Sequence, residues 1–158
     1  MDINAPEFKE YFLNISVVLT GFSKFQLQGT GMATLYFETI RDIIGGDIFA
    51  ELLTTFHKLK LEKKEKNHES ITQILASEKF GPIARNIIKV WYIATWYALP
   101  QSWRDTFGTK EKDGTFVISA QAYPEGLLWQ AIGVNPPGAK GQGYATWSEP
   151  PLVSLTKS

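Results

Sequence analysis

Apolar residues that recur at steps of three and four, cut into blocks by glycine and proline, constrain this chain more than any other feature. From Pro6 to Leu19, the residues Phe8, Phe12, Ile15, Val18 and Leu19 fall on one face of a helix, with Pro6 near its first turn and Gly21 as a stop. The same spacing predicts a second helix from Gly31 to Ile44, with Leu35, Tyr36, Ile40, Ile43 and Ile44 inward, ended by Gly45-Gly46. Asp47 then reads as the N-cap of a third helix, Ile48 to Leu61, on Ile48, Leu52, Phe56 and Leu59. The charged stretch Glu62 to Glu69 reads as a solvated helix end or a loop. A short amphipathic segment carries Ile71, Ile74 and Leu75, and Gly81-Pro82 opens the most apolar helix, which should be central.

The character of the chain changes after Trp96-Tyr97. Pro100, Gly108 and Asp113-Gly114 mark a surface loop between Leu99 and Thr115, with at most a short turn around Ser102 to Phe107, before a brief strand at Phe116-Val117-Ile118. A last helix should include Tyr123, Leu127, Leu128 and Ala131, starting either at a Ser119 N-cap or nearer Pro124, which would break a hydrogen bond inside it. From Gly133 to Pro151 the density of glycine and proline excludes regular structure, yet Tyr144 and Trp147 are set within it. The chain therefore reads as one all-α domain over residues 1–158. It is a compact bundle of five to six helices with a long irregular Gly/Pro-rich C-terminal segment, 133–158, extended and contacting a partner.

Composition narrows the function classes. Sixteen basic and sixteen acidic side chains cancel, so no net field draws the chain to nucleic acid or to an anionic membrane. With no cysteine there is neither a disulfide nor a thiolate nucleophile or ligand. The first ten residues lack the basic, apolar and twin-arginine features of an export signal. The longest apolar run, Ile83 to Leu99, is interrupted by Arg85, Asn86 and Lys89, so no membrane span is expected.

The motifs that carry chemistry are incomplete. Gly29-Thr30-Gly31 resembles part of a dinucleotide fingerprint, but no strand precedes it and Thr34 stands where the third glycine belongs, so a tight turn between helices is the better reading. Gly138, Gly141 and Gly143 lead into a proline-rich segment and not into a helix that receives phosphate. His57 and His68 have no second ligand at helical spacing and read as surface residues. Ser77-Glu78 and Ser148-Glu149 lack an orienting base, and the Glu38/Asp42 pair reads as a solvated face. No catalytic, cofactor-binding or metal-binding residue is assigned to this chain.

Aromatic density is the unusual feature. Trp91, Tyr92, Trp96, Tyr97 and Trp103 lie close together, and Trp129, Tyr144 and Trp147 follow. Large rings anchor interfaces because they bury much area at little entropic cost, although Trp91 serves a core equally well.

Several ordered motifs extend this reading: Leu19-Thr20-Gly21-Phe22, Ile87 to Tyr92 with Trp96-Tyr97, and Val117 to Tyr123 with Glu125-Gly126-Leu127. The tail from Pro136-Pro137-Gly138 through Gly143-Tyr144 to Trp147 and Pro150-Pro151 continues the pattern. Together they resemble the small (gamma-type) subunit of bacterial FAD-dependent sugar and polyol dehydrogenases, the sorbitol dehydrogenase small-subunit family, over Phe12 to Pro151. The resemblance implies a non-catalytic accessory subunit that binds, stabilises and helps mature or export a large subunit of the glucose-methanol-choline oxidoreductase class. FAD would sit in that large subunit and no cofactor in this chain; a cytochrome c subunit is a further candidate member of the complex. It also implies a periplasmic complex, with the cytoplasm as the alternative because no export signal is seen. The partner-binding residues expected on this reading are Trp96, Trp103, Tyr123, Pro137, Tyr144 and Trp147. The alternatives are a self-associating scaffold and an enzyme with an unrecognised site.

A chain of this kind, purified by itself, should show no visible absorption; stoichiometric flavin or haem colour on the isolated chain would overturn the accessory reading.

Overall fold

In the computed structural model, residues 2–62, 67–108 and 111–133 are described. Five long helices form the body: α1 (Glu7–Thr20), α3 (Ala33–Ile44), α4 (Gly46–Glu62), α5 (Asn67–Ala76) and α6 (Gly81–Ile93). Three short ones, α2 (Lys24–Gly29), α7 (Gln101–Phe107) and α8 (Leu127–Ala131), fill the connections. Two residues of β1 (Thr95–Trp96) pair antiparallel with two of β2 (Phe116–Val117), and a 3-10 turn covers Tyr123–Glu125. The all-α bundle expected from the sequence is the fold.

Helix α1 packs against all four other long helices, and α6 lies beside it, so these two form the centre. Their shared core is aromatic. The ring of Phe12 meets Phe37, Phe49 and Trp91 at centroid distances of 5.9, 5.8 and 6.1 Å, and Tyr36 meets Trp91 edge-on at 4.9 Å. Edge-to-face pairs add to area burial because each ring's positive edge meets the other's negative face. Trp91 is fully buried, and its indole N–H donates to the Ser16 hydroxyl at 2.9 Å, so neither polar group is stranded in the core.

Helix boundaries follow local chemistry. Gly21 ends α1 in the left-handed region, at φ +79°, and its N–H bonds to Val17 O. Ser23 and Gln26 form a reciprocal capping box that starts α2, a helix whose apolar pattern is too short to signal itself. Gly45, at φ +88°, closes α3, and its carbonyl accepts from Phe49 N at 3.2 Å, so α4 begins at Gly46 with Asp47 inside its first turn. Asp47 is thus a first-turn acid and not the N-cap. The Gly29-Thr30-Gly31 segment is the tight turn expected of it: Gly29 ends α2, and the Thr30 hydroxyl donates to Leu27 O and accepts from Met32 N.

The largest departure lies at the end of α6. The apolar pattern runs on past Trp96, but the helix stops at Ile93, and Ala94 takes the left-handed conformation at φ +52°. Such a conformation costs an alanine roughly 1–2 kcal/mol, which the burial of Trp96 just beyond it must offset. Trp96 then enters the core from β1, and Ile118 N donates to Ala94 O at 2.8 Å.

Phe12→Ala should destabilise the fold by about 4 kcal/mol, because it removes one ring from several aromatic contacts at once. Urea unfolding followed by circular dichroism would measure it; a loss below about 1 kcal/mol would mean that Phe12 does not organise the core.

Candidate functional site

The segment from Leu99 to Thr115 was expected to be a loop with at most a turn. It is instead built on one buried carboxylate. The side chain of Asp113 accepts from the Trp96 indole N–H at 2.8 Å, from the Leu99 backbone N–H at 3.1 Å and from Arg104 Nε at 3.2 Å. Arg104 also donates to the Asp113 carbonyl at 2.9 Å. The carboxylate side chain is 2% exposed and the guanidinium 24%, so the pair is partly screened at its outer edge. These bonds tie β1, α7 and the approach to β2 into one unit.

Further bonds seat that unit on α6 and on the turn that precedes it. Buried Asn86 donates to Tyr97 O at 2.7 Å, and Trp103, on α7, donates its indole N–H to Lys79 O at 2.8 Å. The turn before α8 approaches so closely that a Cβ on Gly126 would lie 2.5 Å from Tyr92 O, which only glycine permits. Ser119 accepts from Ala122 N at 3.1 Å and so caps this turn, while the helix itself starts at Leu127, beyond Pro124.

What this frame presents is apolar. Tyr97, Phe116, Val117, Tyr123 and Ile132 are exposed large hydrophobic side chains, all between positions 97 and 132 and all after α6 in the chain. Val117 pairs across the ribbon with Thr95, and Phe116 with Trp96. Lys89 places its ammonium 4.7 Å from the Tyr97 ring centroid, and Tyr123 meets Trp129 edge-on at 5.6 Å. Elsewhere among the described residues, only Phe25 and Leu61 are large, apolar and exposed.

The expected partner-binding residues divide. Trp96 and Trp103 are 0% and 3% exposed, and both indole N–H groups are already bonded within the chain. Rings with no free surface cannot anchor a partner on this face, so both are core residues. Tyr123 is 42% exposed and does stand on the surface. Pro137, Tyr144 and Trp147 lie outside the described residues. Sequence reasoning noted Tyr97 only within the aromatic cluster and did not anticipate the exposure of Phe116, Val117 and Ile132. The available signal was the run Phe116-Val117-Ile118, recognised as a strand but not as one left uncovered on both faces.

Among the described residues, no group of three or more His, Cys, Asp or Glu is placed to hold a metal ion. His57 stacks on Tyr11 at 4.1 Å, with ring planes 15° apart. Glu38 is exposed, and Asp42 pairs with Arg41. The Tyr36 hydroxyl is buried without a hydrogen-bond partner among the described residues. Burial pushes its pKa well above the ordinary tyrosine range, and the Glu125 carboxylate pushes the same way, so it stays a neutral phenol. No helix among the described residues is long and apolar enough to cross a membrane. No family model, curated protein or solved structure matches this chain.

Asp113→Ala should cost about 3 kcal/mol, because it strands the Trp96 and Leu99 donors and the Arg104 charge together. Amide exchange at Leu99 should accelerate more than exchange in α1; equal protection in variant and parent would remove Asp113 as the organiser of this face.

Proposed function

We propose that this chain is the non-catalytic small subunit of an FAD-dependent sugar or polyol dehydrogenase, and that it binds, stabilises and helps mature the FAD-containing large subunit. The observation that supports the reading is the exposure of the large apolar side chains Tyr97, Phe116, Val117, Tyr123 and Ile132 in the stretch of chain that follows α6. Exposed large apolar side chains are candidate anchors of a protein contact. The resemblance carried by the ordered motifs from Leu19 to Trp147 supports a flavoprotein of the glucose-methanol-choline class as the partner, with a cytochrome c subunit as a further candidate member and the periplasm, or alternatively the cytoplasm, as the compartment.

The physical roles follow. The α1/α6 core keeps the frame rigid, so docking loses little further conformational entropy. Substrate pocket, flavin and electron transfer all belong to the large subunit. The small subunit contributes by covering an apolar surface of its partner, which would otherwise favour misassembly during maturation.

The chain, tagged and expressed at its native level in its own host, should elute with a large flavoprotein that carries stoichiometric FAD and oxidises a sugar or polyol. Val117→Asp places a charge in the apolar face and should reduce co-eluting flavin roughly tenfold or more while leaving the helical circular dichroism unchanged. A chain that elutes alone or as a homodimer, without flavin, would overturn the proposal.

A further inference from the structure

The stretch 119–133 is bonded to itself. The Ser119 hydroxyl accepts from Ala122 N, Glu125 N donates to Ala122 O at 3.0 Å, Gly126 N to Tyr123 O at 3.2 Å, and Ile132 N to Leu128 O at 3.0 Å. The Trp129 indole N–H also turns back, to Tyr123 O. Among the described residues, and leaving aside the Glu125 side chain, the hydrogen bonds of this stretch have both ends inside it. The nearest tie to the rest of the chain precedes it, Ile118 N to Ala94 O at 2.8 Å.

Packing holds the stretch against α6. Ala122 and Leu127 are the side chains it buries completely, and Gly126 lies so close to Tyr92 O that no side chain fits between them. One leucine and one alanine are little apolar area for a stretch of this length, whereas α1 alone buries Phe8, Phe12, Leu13 and Ile15. The closed position also has a polar penalty. The Tyr36 hydroxyl is buried without a hydrogen-bond partner among the described residues, and the Glu125 carboxylate is near enough to oppose its ionisation. A buried hydroxyl without a partner forfeits the hydration it would have in water.

We infer that residues 119–133 form a strap that lifts from the end of α6 as one unit while the helical body stays folded, uncovering Leu127 and admitting water to the Tyr36 hydroxyl. The internal bonds travel with the strap, so lifting need not break them, and the tie at Ile118 is where it hinges. Cooperative units of this kind open at free energies below that of global unfolding. The strap carries the exposed Tyr123 and Ile132, and lifting adds Leu127 to the apolar surface it presents.

Because the chain has no cysteine, a single introduced thiol reports on one place. The test uses the full chain as Ala122→Cys, in the strap, and as Ala84→Cys, in α6, both at fully buried positions, and follows labelling by dithiobis(nitrobenzoic acid) in increasing urea. Below the unfolding midpoint Ala122→Cys should label roughly tenfold faster or more, with a weaker dependence on urea. Adding Ile15→Val, which weakens the body, should speed labelling of Ala84→Cys about fivefold and leave Ala122→Cys unchanged, because Ile15 stays buried when the strap lifts. Adding Tyr36→Phe, which removes the unpaired hydroxyl, should slow both about fivefold. Leu127→Cys replaces Ala122→Cys if the latter lacks the helical circular dichroism of the parent. Equal labelling at the two positions with the same urea dependence, equal acceleration of both by Ile15→Val, or a strap thiol that Tyr36→Phe does not slow would overturn the inference.

Discussion

The contact on which the rest of the structure depends is the meeting of α1 and α6 at Phe12, Ser16 and Trp91. Phe12 and Trp91 supply buried ring area, and the Ser16 hydroxyl receives the one polar atom of the indole. That bond matters less for its own small net energy than for what its absence would leave, an unpaired N–H in an aromatic core. It also fixes the rotation of α6 about its axis. Asn86 is thereby directed toward Tyr97 O, and Tyr92 reaches Thr20 O at 2.8 Å. A helix free to rotate would carry every later element with it.

Beyond α6 the organising principle changes from apolar area to a single charge. The segment between Leu99 and Thr115 has too few apolar residues to hold itself in place, and Asp113 substitutes for a core by gathering donors from a tryptophan, a backbone amide and an arginine. A buried carboxylate is expensive to desolvate, so this arrangement is weak as a source of stability and strong as a source of specificity. The path the chain takes satisfies the Trp96, Leu99 and Arg104 donors together. That path holds the ribbon with Phe116 and Val117 outward, where hydrophobic collapse by itself would have turned them in.

This division explains what was legible in the sequence. The long helices were readable because three-and-four spacing reports burial on one face, and Phe8, Phe12, Ile15, Ile40, Leu52, Phe56 and Ile74 are all buried as that spacing requires. Helix α2 was not readable, since six residues hold too little pattern and its start depends on the Ser23/Gln26 box. The end of α6 was hidden for a different reason. Trp96 continues the apolar run whether the backbone is helix or strand, and the reversal at Ala94 has no glycine to announce it. Asp113-Gly114 looked like turn chemistry, and nothing local distinguishes a solvated aspartate from one that holds three elements together.

The aromatic residues make the same point about function. Of the expected rings that fall within the described residues, Tyr123 is exposed while Trp96 and Trp103 are buried, because tryptophan serves equally as core and as surface and the choice is set by where its N–H finds a partner. Trp91, Trp96 and Trp103 find theirs in Ser16, Asp113 and the Lys79 carbonyl, which commits them to the interior. Trp129 donates to Tyr123 O at 3.1 Å from a half-buried position, so the pair shapes the rim of the exposed face without filling the core. The surface role consequently passes to residues with no buried polar atom to satisfy, Phe116, Val117 and Ile132, together with Tyr97 and Tyr123. The buried tryptophans determine how that surface is held, and the exposed side chains determine what it can meet.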